Sequence, residues 1–284
     1  MVTTSGISNV ARDVGDVYNL QPLSHGNSKK LQSTRLYVDE SKCLESTSAE
    51  ASERFLEKCG GVPLGVIAIA GLLASNPEDN WSEMYNSFCL GKGINDDVEN
   101  IRRILSFCYY HLPSHLKTCL LYISIFREDY EINKCLVIWK WIAEGFIHGD
   151  QQIGLFELAE GYFVELINRS MIQPVEAQGT GHVIGCRVHD MVLDLVRSLS
   201  SEENFVTVLS EDGDEQQKFP LTNANRLSLQ SRVVEKRHPQ LANVGMEQVR
   251  SFVAILSDIH VVSPSFQVLR VLALEDCKFI EGYT

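Results

Sequence analysis

Two adjacent residues near the middle of the chain, His189 and Asp190, have side chains that can bind ions or exchange protons. They stand where a β-like run, Cys186–Val188, gives way to helical apolar spacing that begins at Met191. An aspartate at a helix start accepts hydrogen bonds from the free N–H groups of the first turn. A histidine near neutral pH can donate a hydrogen bond to an anion. The sequence therefore predicts that Asp190 caps a helix and leaves His189 available for a ligand.

The cysteines and the other histidines do not form a metal-binding pattern. Eight cysteines stand singly, without a Cys-x-x-Cys pair, which is typical of reduced thiols in a cytosolic or nuclear protein. His111 and His115 are four residues apart, but Pro113 lies between them and no acidic or cysteine partners cluster there. No nucleophile and base, and no pair of carboxylates, has a recognisable local setting. We therefore expect neither a metal site nor an enzyme.

Length and charge limit the class of protein. A chain of 284 residues that is 44% hydrophobic and 22% charged has the composition of a soluble globular protein with more than one domain. The first residues do not resemble a secretory signal, and the longest apolar stretch, 62–74, contains Pro63 and is too short to span a membrane. A net charge of −12 argues against a surface that binds nucleic acid, which requires basic side chains.

Helical spacing dominates residues 46–111. One helix is predicted over 51–59, a Gly-Gly turn breaks the chain, and an apolar helix follows over 64–73. Pro63 suits the first position of that helix, because its fixed φ is already helical. A further helix starts at 96–97 and ends before Pro113. Its predicted buried face consists of Val98, Ile101, Ile104, Leu105 and Cys108.

Three shorter helices and a hairpin follow. Apolar stripes with helical spacing are Leu116, Cys119, Leu120 and Ile123; Leu136, Trp139, Ile142, Ala143 and Phe146; and Phe156, Ala159, Phe163, Leu166 and Ile167. We interpret Trp139 and Trp141 as core residues. Two β-like runs, 171–175 and 183–188, flank the turn formers 178–181 and predict a β-hairpin. Helices followed by a hairpin are typical of a winged helix, which in some proteins reads DNA.

Near the end of the chain, the spacing of apolar residues changes to the two-residue alternation that is typical of strands. Residues 269–277 fit the leucine-rich-repeat core L-x-x-L-x-L-x-x-N/C. Weaker matches occur at 226–229 and 249–255. A repeat array needs about three units to bury a continuous core. We therefore expect the first strands of a repeat array here, preceded by an exposed acidic linker at 211–215.

Several of these segments, in this order, resemble a known family. They are GGVPLGVIAIAGLLAS (60–75), LPSHLKTCLLYISIFRED (112–129), IWKWIAEGFI (138–147) and VHD (188–190), followed by leucine-rich repeats. Together they are similar to the NB-ARC switch of plant NLR disease-resistance proteins, most closely the coiled-coil class of grasses. The resemblance implies a mainly α, multi-domain fold. Its expected parts are a remnant of the nucleotide-binding α/β subdomain (1–45), a helical subdomain (46–113), a winged-helix subdomain (114–210) and the start of a leucine-rich-repeat solenoid (222–284).

The resemblance also implies a nucleotide site. By analogy, Pro63 in the motif Gly61-Val62-Pro63-Leu64 would pack against the adenine of ADP or ATP, and His189 would donate to the β-phosphate of ADP. Val188 and Asp190 complete the motif around His189, and Asp190 would hold neighbouring backbone or an arginine. Family members are conformational switches with at most slow ATPase activity. Their partners are other NLR domains or signalling proteins, and a pathogen effector or a guarded host protein, and they act in the cytoplasm or the nucleus.

The sequence also departs from the family pattern. No G-x-x-x-x-G-K-[ST] phosphate loop occurs, no Walker-B strand is found, and Thr3-Thr4-Ser5 stands where the family has Thr-Thr-Arg. Arg127 and Gly65 replace the usual proline and alanine of their motifs. These departures suggest a truncated or degenerate receptor, and we expect the isolated chain to bind ADP weakly or not at all.

Three hypotheses follow from this pattern. The first is an ADP/ATP-dependent conformational switch in plant defence. The second is a nucleotide-free fragment that acts only through protein interactions. The third is a DNA-binding winged helix, which is disfavoured because its third helix carries Glu157, Glu160 and Glu165 against a single Arg169.

Overall fold

A computed structural model of the protein describes residues 21–36, 46–89, 97–149, 154–210, 224–230, 246–255, 258–260, 266–275 and 277–280. These residues form a mainly helical structure with three sheets. The acidic run at 211–215 and the residues Thr3 to Ser5 lie outside the described residues. No helix in the described part of the chain is long and apolar enough to cross a membrane.

Five helices form a bundle in the first half of the described chain. They are α1 (His25–Leu36), α2 (Ser46–Lys58), α3 (Pro63–Ala74), α4 (Trp81–Cys89) and α5 (Asp97–Tyr110), with a 3-10 turn at Glu78–Asn80. The apolar helix α3 lies at the centre and packs on both α1 and α5. The predicted helices over 51–59, 64–73 and 96–112 are thus confirmed. Helix α1 of this bundle, which packs on α3, lies within the range 1–45 that was expected to be an α/β remnant.

A winged helix follows the bundle. It consists of α6 (Ser114–Ile123), β1 (Ile132–Asn133), α7 (Lys134–Glu144), α8 (Leu155–Asn168), β2 (Gln173–Glu176), β3 (Val183–Arg187) and α9 (Asp190–Glu202). The predicted hairpin is confirmed, because β2 pairs antiparallel with β3, and β1 pairs with the other edge of β3. The backbones of β1 and β3 approach closely at Gly185, where a Cβ would lie 2.5 Å from the Ile132 carbonyl oxygen. Glycine is needed at that position because any side chain would collide with the neighbouring strand.

The last part of the described chain is a parallel sheet. Strands β4 (Thr207–Ser210), β5 (Arg226–Gln230), β6 (Ser251–Ile255) and β8 (Val271–Glu275) lie side by side in that order. Strands β7 (Asp258–His260) and β9 (Lys278–Ile280) form a second parallel pair. Thr207 pairs with Leu227, Leu227 with Phe252, and Phe252 with Leu272, so successive partners are 20, 25 and 20 residues apart.

Each face of the four-stranded sheet packs on a different core. Leu227, Leu229 and Phe252 point into a small core that the sheet forms with its own connections. Val253 and Ile255 on the opposite face join the large core shared by the helical bundle and the winged helix. Alternation of side chains along a strand explains the division. Residues of this face therefore attach the sheet to the large helical core.

Most predicted apolar stripes are buried, but the stripe predicted over 136–146 is buried only in part: Phe146 is buried and Ile142 is half-buried against the large core, whereas its other three residues are exposed. Leu136 and Trp139 are 50% and 57% exposed, and Ala143 is also exposed. The buried face of α7 instead carries Val137, Ile138, Lys140, Trp141 and Glu144. Two of these residues are charged and pair with the parallel sheet, as described below. Hydrophobicity alone selected the wrong face, because it treats charged residues as exposed. On α5, Val98 is likewise exposed (62%).

The cysteines in the described part of the chain include both buried and exposed thiols, which gives a simple test of the packing. Burial raises the pKa of Cys59, Cys119 and Cys186 to about 12, whereas Cys89 and Cys135 are exposed. A raised pKa keeps a thiol protonated, and only the thiolate reacts rapidly with alkylating reagents. Brief treatment of the folded protein with iodoacetamide at pH 8 should therefore modify Cys89 and Cys135 and spare the other three. Peptide mass spectrometry measures this, and equal labelling of Cys59 and Cys89 would contradict the described core.

Candidate functional site

The joint between β3 and α9 places His189 at the N-cap of a 13-residue helix. Its backbone is still extended (φ −67°, ψ 139°), and its ring Nδ1 accepts a hydrogen bond from the Met191 backbone N–H at 3.3 Å. Helical backbone begins one residue later, at Asp190. The prediction that Asp190 caps this helix is therefore wrong. The extended conformation of β3 continues through His189, so the last non-helical residue, which is the capping position, is the histidine.

The neighbours of His189 hold the joint in place. Val188 and Met191 are half-buried and pack on the large core, whereas His189 and Asp190 are exposed. The carboxylate of Asp190 lies in the first turn of α9, where the helix dipole favours a negative charge. The joint thus presents an exposed imidazole ring on a firmly packed backbone.

The second predicted group of site residues lies at the start of α3. Gly60 and Gly61 have positive φ angles of 56° and 75°, and the Leu23 N–H donates to the Gly61 carbonyl at 2.8 Å. Pro63 occupies the first turn of α3 with its ring exposed, and Leu64 is half-buried against the core. Pro63 therefore starts the helix, as its fixed φ suggested. Its exposed ring remains free to contact a ligand.

Replacing Gly61 by alanine should destabilise the turn before α3. A Cβ at this position would lie 2.4 Å from the Leu23 carbonyl oxygen, and the φ of +75° is unfavourable for residues with side chains. We expect a loss of about 2 to 3 kcal/mol in the free energy of unfolding, from backbone strain and overpacking together. Urea denaturation measures the loss. Gly60 is the matched control, because a Cβ there meets no atom within 4 Å; an equal loss for Gly60→Ala would rule out the contact with Leu23 as the cause.

The structure keeps the two predicted groups on separate elements. Gly61, Pro63 and Leu64 lie together at the entry to α3, and Val188, His189 and Asp190 lie together at the entry to α9. Among the described residues, no hydrogen bond or ion pair joins the two groups. Each group offers one exposed ring, at Pro63 and at His189. A ligand that touched both would connect the helical bundle to the winged helix.

A second polar cluster, which the sequence analysis did not predict, lies between the winged helix and the parallel sheet. Arg226 on β5 donates from Nε to Glu144 on α7 at 2.8 Å. The Glu144 side chain is fully buried and that of Arg226 is 12% exposed. The guanidinium also lies over Phe146 and Phe205, at 5.1 and 4.1 Å from the ring centroids. An arginine placed in this way is held by charge and by two aromatic faces.

A second ion pair and a neutral hydrogen bond extend this cluster. Lys140 on α7 pairs with Glu275 on β8, and Glu275 also accepts a hydrogen bond from the Tyr130 hydroxyl at 2.5 Å. Tyr122 on α6 hydrogen-bonds Ser251 on β6 at 2.9 Å, and burial raises the pKa of Tyr122. Three strands are thereby each tied to the winged helix by a buried or half-buried polar contact. One feature of the sequence could have indicated a buried charge here, namely the position of Lys140 between two tryptophans.

The helix that would read DNA in a winged helix is α8. Glu157 on this helix is exposed. Glu160 pairs with Lys134 and Glu165 pairs with Arg169, both at 2.9 Å. Phosphate binding requires uncompensated basic side chains. Helix α8 offers an acidic surface instead, which disfavours DNA binding.

The order of helices and strands in residues 114–202 defines a winged-helix protein class, and sequence comparison specifies it further. Residues 125–196 match the family model described as the disease resistance protein winged helix domain. This range includes β1 to β3 and His189. Residues 125–196 therefore form a winged-helix domain of the disease resistance type.

Comparison with whole proteins shows that the chain is homologous to plant NLR disease resistance proteins. It is 37% identical over 234 residues to disease resistance protein Pik-2 of Oryza sativa subsp. japonica, covering 81% of this chain and 23% of Pik-2. Disease resistance protein RGA5 of the same plant is 33% identical over 267 residues, 91% of this chain and 23% of RGA5. RPP13 of Arabidopsis thaliana is 32% identical over 233 residues, 80% of this chain and 26% of RPP13. The chain spans about a quarter of the length of these curated relatives.

Proposed function

We propose that this chain forms part of a plant immune receptor, in which it serves as the helical, winged-helix and first repeat portion of an ADP/ATP-dependent conformational switch. The observation that carries the proposal is the match of residues 125–196 to the winged-helix domain of disease resistance proteins. The position of His189 within that domain supports it, because the ring is exposed at the joint between β3 and α9.

The residues at the two helix entries fit contacts with a nucleotide. The exposed ring of Pro63 offers an apolar face to an adenine, and the exposed imidazole of His189 offers a hydrogen-bond donor to a phosphate. A nucleoside diphosphate, when bound, would supply an aromatic ring and negatively charged acceptor oxygens. Residues 1–284 contain no glycine-rich phosphate loop, so this chain would contribute only these two contacts to the nucleotide. Gly61 and Leu64 set the position of Pro63, and Val188 and Asp190 that of His189.

The same geometry explains how ligand binding would affect the rest of the molecule. His189 begins α9, and α9 packs on both α5 of the bundle and α6 of the winged helix. A ligand that contacts Pro63 and His189 together favours the arrangement of bundle and winged helix in which both are within reach. The ion pairs made by Arg226, Glu144 and Lys140 join the parallel sheet to the winged helix. The sheet would therefore move together with the winged helix.

The parallel sheet supports the proposal of a leucine-rich-repeat array. Its strand partners are 20, 25 and 20 residues apart, as the register pairs show. Leucine-rich repeats have about 20 to 29 residues each and one strand per repeat. The predicted repeat matches at 226–229, 249–255 and 269–277 each supply one strand of this sheet. By family resemblance, partners would be other receptor domains, signalling proteins, and a pathogen effector or guarded host protein, in the cytoplasm or the nucleus.

A nucleotide-free interaction fragment is the second candidate. The observation that favours it is an exposed apolar patch on the winged helix formed by Leu136, Trp139 and Leu155, at 50%, 57% and 44% exposure. Trp139 also lies against Phe156, with ring centroids 5.2 Å apart. Exposed aromatic residues in such a patch are typical of protein contacts.

Calorimetric titration of the full chain with ADP distinguishes the two candidates. The switch proposal predicts saturable binding that is weaker than micromolar, because a phosphate loop is not part of the sequence. His189→Ala should weaken it by about tenfold, the effect of losing one hydrogen bond to a charged group. Trp139→Ala is the control and should leave the affinity unchanged. Absence of saturable binding at millimolar ADP would favour the interaction fragment and overturn the nucleotide role.

A further inference from the structure

The hydrogen bond between His189 and Met191 determines where the histidine carries its proton. The Met191 backbone N–H is the donor, and its direction is fixed by the peptide plane. The acceptor is Nδ1, at 3.3 Å. A ring nitrogen accepts a hydrogen bond only when it carries no proton, and a neutral imidazole has one protonated and one unprotonated nitrogen. The proton must therefore reside on Nε2.

The alternative protonation states do not fit this geometry. If the proton were on Nδ1, two N–H groups would face each other and the Met191 amide would lose its partner. A 180° turn of the ring would place a carbon atom opposite the amide, and carbon does not accept. A doubly protonated imidazolium has N–H groups on both nitrogens, so it cannot cap α9 either. Only the neutral ring with Nε2–H satisfies the first turn.

We infer that the start of α9 selects the Nε2–H tautomer of His189, so that the helix sets the donor that His189 presents to a ligand. This inference rests on the proposed function for the identity of the ligand, an anionic oxygen acceptor such as a phosphate. A proton added at Nδ1 would break the cap and leave the Nε2–H donor in place, whereas fraying of the first turn would remove the constraint that selects this tautomer. The same side chain thus caps α9 through Nδ1 and offers a donor to a ligand through Nε2.

Nitrogen-15 spectra of the full chain, labelled at histidine, test the inference without any nucleotide. The His189 signals are those missing from the His189→Ser variant. In the neutral ring, we expect Nδ1 to show the shift of an unprotonated nitrogen and Nε2 that of a protonated one. A protonated Nδ1 would overturn the inference.

Amide hydrogen exchange supplies the second, independent readout. Serine is a good N-cap and alanine a poor one. His189→Ala should therefore speed exchange of the Met191 amide by about fivefold, the effect of losing a typical cap, while His189→Ser should leave it nearly unchanged. Equal rates in the two variants would overturn the capping role. Both readouts are independent of ADP, so a negative ADP titration refutes the proposed function alone, and a protonated Nδ1 refutes this inference alone.

Discussion

Replacing Arg226 by methionine should lower the free energy of unfolding by about 3 to 5 kcal/mol, because it leaves a buried carboxylate without its partner. The carboxylate is that of Glu144, whose side chain is fully buried. The methionine preserves most of the volume and the contacts with Phe146 and Phe205, so the loss reports on charge. The measurement is urea denaturation followed by tryptophan fluorescence and by circular dichroism, since the parallel sheet can separate before the helices unfold.

Two matched variants make this result interpretable. Arg187 pairs with Glu131 at 3.2 Å with both side chains exposed, 59% and 46%, and exposed pairs contribute about 0 to 1 kcal/mol. Arg187→Met should therefore have little effect. The double variant Glu144→Leu with Arg226→Met removes both charges and should recover most of the stability lost in the single variant. If Arg226→Met proves as mild as Arg187→Met, the attachment of the sheet to the winged helix through this pair is wrong.

Trp141→Ala should cost about 3 to 5 kcal/mol, the usual effect of removing a buried aromatic side chain. Trp141 is completely buried, and its ring centroid lies 6.4 Å from that of Phe163. Trp139, two positions earlier on the same helix, is 57% exposed. Trp139→Ala should therefore cost less than about 1 kcal/mol, as for most surface substitutions.

Chemical denaturation of the two alanine variants compares the stability contributed by the buried and the exposed face of α7. Trp141→Phe adds a third point: the indole N–H has no hydrogen-bond partner among the described residues, so phenylalanine removes an unsatisfied donor and should cost much less than alanine. A larger loss for Trp139→Ala than for Trp141→Ala would show that the helix is rotated relative to the structure. It would also restore the stripe that the sequence predicted.

The parts of the fold that the sequence predicted well are those governed by local spacing. Gly60 and Gly61 end α2, Pro63 begins α3, and the alternating leucines at 227 and 229 mark a strand. In each case, neighbours in the sequence decide the conformation. These features were accessible to prediction because turn preferences and periodicity act over a few residues.

The parts that sequence reasoning missed depend on distant partners. Lys140 and Glu144 are buried because Glu275 and Arg226, more than 80 residues away in the sequence, neutralise them. No local pattern contains that information. The prediction of the site was limited in a different way: it found His189 but assigned the cap to Asp190, because histidine is not among the common capping residues. Its capping role follows from the path of β3, which keeps residue 189 extended.

The most direct test of the central proposal, a contact between His189 and a nucleoside diphosphate, is the preference of the full chain for ADP over AMP. Wild-type protein and the His189→Ser variant are titrated with each nucleotide by calorimetry. Serine keeps the cap of α9 but removes the long donor. The wild type should bind ADP about tenfold more tightly than AMP, because only ADP has the β-phosphate that accepts a hydrogen bond from His189, and one hydrogen bond to a charged acceptor has about this effect. The variant should bind both nucleotides equally. The same ADP preference in the two proteins, or none in the wild type, would contradict the role of His189.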